Sequence, residues 1–148
     1  MASRTYKAKR KNWRELPREK WWIEGAVFEG KENSYIITNV KVTDEWEDSE
    51  IGADVIGYLV DTETICQDTG LTDKNGRKIF EGDIVRYTDE VIGKEKVDEI
   101  KYNETHAAFC RLHESEMGLQ YLLIDEAIAN KIEVIGNIFD NPELIGEQ

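Results

Sequence analysis

The chain has 148 residues, 31 acidic side chains against 19 basic ones, a formal charge of −12 and 40% hydrophobic residues. No stretch without a charged residue exceeds eight positions, so no bilayer-spanning helix is encoded. Two cysteines, Cys66 and Cys110, cannot build a disulfide framework, and the length suits one domain or two small subdomains rather than a large multidomain enzyme.

The charge is unevenly spread. Residues 1–20 hold eight basic side chains opposed by Glu15 and Glu19, so the head carries about +6 and the rest about −18. No apolar run succeeds this head, so no secretory leader is expected. Free thiols then fit a reducing cytoplasm. We read residues 1–12 as a basic arm. Lys7, Lys9, Arg10 and Lys11, with Arg14 just beyond it, are candidate contacts, either with phosphates through counterion release or with an acidic surface of this chain or a second copy.

Beyond the head, strand signals dominate. Trp22 to Glu29 is rich in aromatic and β-branched residues, and Glu29-Gly30-Lys31 breaks it. Ser34 to Val42 is the next strand, with Tyr35, Ile36, Ile37, Val40 and Val42 suited to a pleated surface. Asp44, Glu45, Glu47, Asp48, Glu50 and Asp54, interrupted by Trp46, read as a solvated acidic loop. Val55 to Val60 is a third run, and Thr62 to Gln67 a fourth extended piece. All four tryptophans fall in this first third, where their area would anchor an N-terminal subdomain.

Asn75-Gly76 is the strongest hairpin signal, because both residues tolerate the positive φ of a type I′ turn. Gly82 permits a bend into Ile84-Val85-Arg86-Tyr87, and Asp83 there suits a local bond to the backbone. Residues 89–94 are a loop tip, and Lys96 to Tyr102 a further strand. Ala107 to Leu112 and Leu119 to Ile124 form a hairpin pair. Asp125 caps one helical turn, Lys131 to Phe139 returns to strand, and Pro142 opens a last helical turn. Turn signals recur about every 8–12 residues, which favours an all-β barrel or sandwich.

Two blocks resemble the YopX family. One runs from Thr69-Gly70-Leu71 through Asp73-Lys74-Asn75-Gly76 to Ile79-Phe80-Glu81-Gly82-Asp83-Ile84-Val85. The other is Glu133-Val134-Ile135-Gly136-Asn137-Ile138-Phe139-Asp140-Asn141-Pro142-Glu143-Leu144. The resemblance covers most of residues 21–145. It implies a small, mostly β protein of phage or prophage origin, with a barrel-like C-terminal part and no established activity. It supplies no catalytic residues. The motif residues Gly70, Asn75, Gly76, Gly82, Asp83, Gly136, Asn137, Asn141 and Pro142 have structural explanations as turns, bends and caps.

Chemistry-bearing clusters are scarce. His106, Cys110 and His113 would converge on a metal only on a helix; on a strand His113 points away from the other two. No phosphate-cradling glycine loop and no nucleophile elbow occurs. The expectation is therefore a mainly β protein of short antiparallel strands. Residues 13–68 form an N-terminal β subdomain, and residues 69–148 an SH3-like small barrel with one or two helical turns. It has no catalytic, metal or cofactor site. It acts by self-association or by binding an unidentified host or phage protein, away from membranes. The alternative is modulation of nucleic-acid-binding proteins, or nucleic-acid contact through the arm.

Overall fold

The computed structural model describes residues 5–46 and 50–146. The chain divides into two compact units, Met1–Gln67 and Asp68–Gln148. Both are built from antiparallel strands, with two four-residue helices and three 3₁₀ turns among the described residues.

In the first unit, β1 (Tyr6–Lys9), β2 (Trp22–Glu29), β3 (Ser34–Glu45) and β4 (Ile51–Val60) lie side by side in the order β4-β3-β2-β1. The first residues of β5 (Cys66–Thr72) pair with the other side of β1. One face of this sheet closes on Ala8, Ile36 and Val60, with Tyr6, Ile23, Val27 and Ile65 packed around them. Gly25 lets the strands approach here. A Cβ at that position would lie 2.2 Å from the Ile37 carbonyl oxygen.

Three expectations for this unit need correction. The head is not an arm at Tyr6–Lys9: those residues form β1, paired on both sides. Its two lysines hid the strand, because alternate charges read as solvent-facing. The acidic segment is not a loop from Asp44 to Asp54. Strand pairing continues to Glu45↔Ile51, and Trp46 N donates to Glu50 O at 3.0 Å, so β3 and β4 form a long ribbon. Glu47 and Asp48 lie outside the described residues. Thr62–Thr64 is a 3₁₀ turn rather than extended, because the Asp61 carboxylate accepts from Glu63 N at 3.3 Å and Thr64 Oγ1 donates to Asp61 O at 2.7 Å.

The second unit holds β6 (Lys78–Phe80), β7 (Asp83–Asp89), β8 (Lys94–Asn103), β9 (Ala108–Ser115), β10 (Gly118–Leu123) and β11 (Glu133–Asn137). The end of β5 pairs with β6, and the other five strands form a sheet in the order β10-β9-β8-β7-β11. The helices are α1 (Glu126–Ala129) and α2 (Glu143–Gly146). Asp125 caps α1 by accepting from Ile128 N at 2.9 Å, as its sequence predicts. The core gathers Ile79, Val85, Ile100, Ala129, Ile132 and Val134. The turn between β5 and β6 is not type I′. Gly76 takes φ +79°, but Asn75 does not take positive φ. The Asp73 carboxylate organises the turn instead.

Candidate functional site

The outer face of the first unit's sheet is set by strand register. Residues paired across antiparallel strands point to the same side. Phe28 pairs with Tyr35 and Tyr35 with Leu59; Ala26 pairs with Ile37 and Ile37 with Gly57. Beyond a bulge between Ile37 and Asn39, Val40 pairs with Val55 and Val42 with Ala53. These side chains share the face opposite Ile36 and Val60. A second bulge, between Val42 and Asp44, precedes the pair Glu45↔Ile51. Past the first bulge the opposite face of the ribbon carries Asn39, Lys41, Asp54 and Ile56. One face is therefore free of charge from Ala26 to Ala53, on a chain of −12.

This face is open. Phe28, Val40, Val55 and Ile51 are 57%, 53%, 54% and 57% exposed. It is also ordered by packing. The Phe28 and Tyr35 rings sit 6.3 Å apart. Ile37 lies over Gly57, where an added Cβ would come within 2.7 Å of its Cδ1. The run legible as strand in the sequence is thus apolar on a side that nothing covers among the described residues.

From Tyr6 on, the basic head is built into the same unit; residues 1–4 lie outside the described residues. Lys9 Nζ lies 3.8 Å from the Trp13 ring centroid and 4.5 Å from that of Trp21. Lys7 Nζ lies 5.0 Å from Trp22. Arg14 stacks on Trp13 at 4.4 Å and Arg10 on Tyr58 at 4.6 Å. Trp13 and Trp21 meet edge to face at 4.8 Å, and Trp21 Nε1 donates to Leu16 O. Indole faces carry the negative end of the ring quadrupole, so they hold cations. Lys7 and Lys9 are buried, Arg10 is half-buried, and Lys11 and Arg14 are exposed.

The motif residues of the second unit occupy turns and joints. Gly70, Gly76 and Gly82 take positive φ. The buried Asp83 carboxylate accepts from Phe80 N at 2.8 Å. Asn137 Oδ1 accepts from the amides of Phe139 and Asp140, and Asn141 Oδ1 accepts from Asn137 N. Gly136 is required there: a Cβ would come within 2.5 Å of Asn141 Oδ1. Pro142 O accepts from Ile145 N at the start of α2. Asp73, to which sequence reasoning gave no role, makes three hydrogen bonds. Its Oδ1 accepts from Asn75 N and Arg77 N, and its Oδ2 from Val134 N, each at 2.9 Å. Burial pushes its carboxyl up, but these three amides and the Arg77 charge outweigh that and leave it below the usual carboxylate range.

A second group that sequence reasoning missed joins three strands. Asp98 on β8 is buried, with Oδ1 3.0 Å from His113 Nδ1 on β9. Arg111 Nη1 approaches Asp98 Oδ2 at 3.7 Å, and its guanidinium stacks 4.7 Å from the Tyr87 ring. Tyr87 Oη lies 3.4 Å from His113 Nδ1. Burial first, and then the Asp98 charge, push the Tyr87 phenol up to about 12. Asp98 Oδ2 and Arg111 Nε have no hydrogen-bond partner among the described residues.

His113 therefore belongs to this cluster, while Cys110 faces the other side of β9 and His106 is exposed in the preceding turn. Among the described residues no group of three or more His, Cys, Asp or Glu is arranged to hold a metal ion. A 440 Å³ groove beside Tyr87 and Arg111 is rimmed by charges that already pair, Arg86 with Glu133 at 2.8 Å and Lys131 with Glu90 at 3.9 Å. No helix among the described residues is long and apolar enough to cross a membrane.

Comparison with known proteins agrees with this architecture. A family profile described as "YopX protein" matches residues 18–146. The fold is similar to the crystal structure of protein EF1440 from Enterococcus faecalis, with a TM-score of 0.58 and 24% identity over 98% of this chain and 99% of that one. No curated protein matches the sequence.

Proposed function

We propose that this chain, which belongs to the YopX protein family, is a non-enzymatic binding protein that works by self-association through the uncharged outer face of β2, β3 and β4. The carrying observation is that face itself. Two chains of −12 repel each other, so copies meet most favourably where neither presents charge. From Tyr35 to Val42 the uncharged face runs roughly 23 Å, and two to three strands give it a width of about 10–14 Å. That is on the order of 300 Å², enough for the core of an interface, which a polar rim would complete.

An attraction between basic head and acidic body is the competing route to the same oligomer. Its case is weakened by the burial of Lys7 and Lys9 against their own tryptophans. Salt separates the two routes. Apolar contact persists or tightens as salt rises, whereas contact between opposite charges loosens. Light scattering at low and high sodium chloride is expected to give a mass above that of the 17.1 kDa monomer under both conditions. A monomer throughout removes the self-association reading. An oligomer present only at low salt assigns it to the charges instead. A phage or prophage origin and a setting in the host cytoplasm belong to this same reading.

A further inference from the structure

We infer that the free edge of β10 is a second binding site, one that takes an extended peptide strand with alternating apolar residues and basic flanks. This site lies in the second unit and is independent of the sheet face proposed above for self-association.

The edge is unprotected. β10 stands at the end of its sheet and pairs only with β9 among the described residues. An edge strand presents a row of backbone groups ready to pair with another chain, and folded proteins usually blunt it with charge, proline, bulges or shortness. The other edges show those devices. β4 carries Asp54 and pairs through two bulges. β11 has Glu133 and a bulge between Val134 and Gly136. β6 is three residues long. β10 has none of them. Its six residues pair with β9 in unbroken register, and no charge or proline occurs from Met117 to Ile124. Leu119, Tyr121 and Leu123 alternate along it at 57%, 45% and 60% exposed.

Charge selects the occupant. Glu114 and Glu116 stand before β10, and Asp125 and Glu126 come after it. A second copy of β10 pairing antiparallel would set one acidic end against the other acidic end, which is unfavourable. A segment with Lys or Arg at both ends meets complementary charge instead. Six residues span roughly 20 Å, so the strand holds a segment of similar length. Main-chain bonds would supply affinity, and alternate apolar side chains beside Leu119, Tyr121 and Leu123 would supply selectivity.

The test uses the full chain and the fluorescein-labelled peptide Lys-Lys-Val-Thr-Val-Thr-Val-Lys-Lys. Fluorescence anisotropy is expected to show saturable binding that weakens with salt, and amide exchange is expected to slow at Gln120 to Leu122. Methylating alternate peptide nitrogens, in two versions that block either edge, should weaken binding at least tenfold in one of them. Tyr121→Lys, at an exposed position and expected to keep the fold by circular dichroism, should do the same. Absence of binding overturns the inference. So does equal binding by both methylated peptides, which would mean apolar adhesion without strand addition. Slowed exchange in β10 with no peptide present, dependent on protein concentration, would assign the edge to a second copy and also overturn it. Absence of binding and equal binding by both methylated peptides leave the light-scattering mass unchanged, whereas pairing of β10 with a second copy would give an oligomer that Tyr121→Lys disperses and Val40→Glu/Val55→Glu does not, so the two proposals fail separately.

Discussion

Asp73 and Tyr87 show how much of the second unit rests on single side chains. The Asp73 carboxylate fastens the turn after β5 to Val134 at the start of β11, 61 positions away. Asp73→Asn keeps the size but turns one acceptor into a donor that must face an amide. We expect a loss of about 2–3 kcal/mol at neutral pH, measured by urea unfolding. The carboxyl is held below its ordinary value in the folded protein, so its contribution is full above that value and fades as pH falls through the lowered one. The variant's stability should accordingly fall less steeply in acid than that of the parent. Tyr87 works at the other end of the scale. Its phenol is raised from 10.0 to about 12, so its contribution is full below pH 10 and is lost as pH rises to 12. An ultraviolet phenolate titration should show a late step near pH 12 that Tyr87→Phe removes; an unchanged titration would contradict the placement of Tyr87 beside Asp98.

Among the elements, β1 is the one that the sequence hides. Tyr6-Lys7-Ala8-Lys9 reads as part of a basic tail because two of its four residues are lysines. It is a strand because Tyr6 and Ala8 face the core while the lysines meet tryptophans. That requires Trp13 and Trp21 to be brought over the sheet by the two 3₁₀ turns at Trp13–Glu15 and Arg18–Lys20. All four tryptophans lie in the first unit, so their fluorescence reports on that unit alone. Lys9→Ala removes a cation 3.8 Å from one indole centroid, together with its buried stem. We expect about 2 kcal/mol of destabilisation in urea, read by tryptophan emission. Strands 22–29 and 34–42 were legible because β-branched and aromatic residues mark them directly. The reach of β3 and β4 to Glu45 and Ile51 was not, because acidic residues at ribbon positions look the same as acidic residues in a loop. The polar group of Tyr87, Asp98, Arg111 and His113 escaped for another reason. Its members are scattered over three strands, and only register brings them together.

For the whole molecule, the balance is between strong net charge and strips that carry none. Many of the apolar residues not spent on the two cores lie on the outer face of β2–β4 and along β10. Neither strip is visible as exposed from sequence alone, since alternating apolar residues imply only that one side is buried, and the core accounts for that side at Ile36 and Val60. The motif glycines and asparagines hold turns and leave these strips untouched, in keeping with a scaffold that presents surfaces.

Self-association through the uncharged face is decided by sedimentation velocity of the parent chain beside the double variant Val40→Glu/Val55→Glu, which places two acids at a paired position in the centre of that face. Both sites are exposed, so the fold should survive by circular dichroism. The parent is expected to sediment as an oligomer and the variant as a monomer. Equal sedimentation of the two chains, whether as monomers or as oligomers, would contradict the role given to the face.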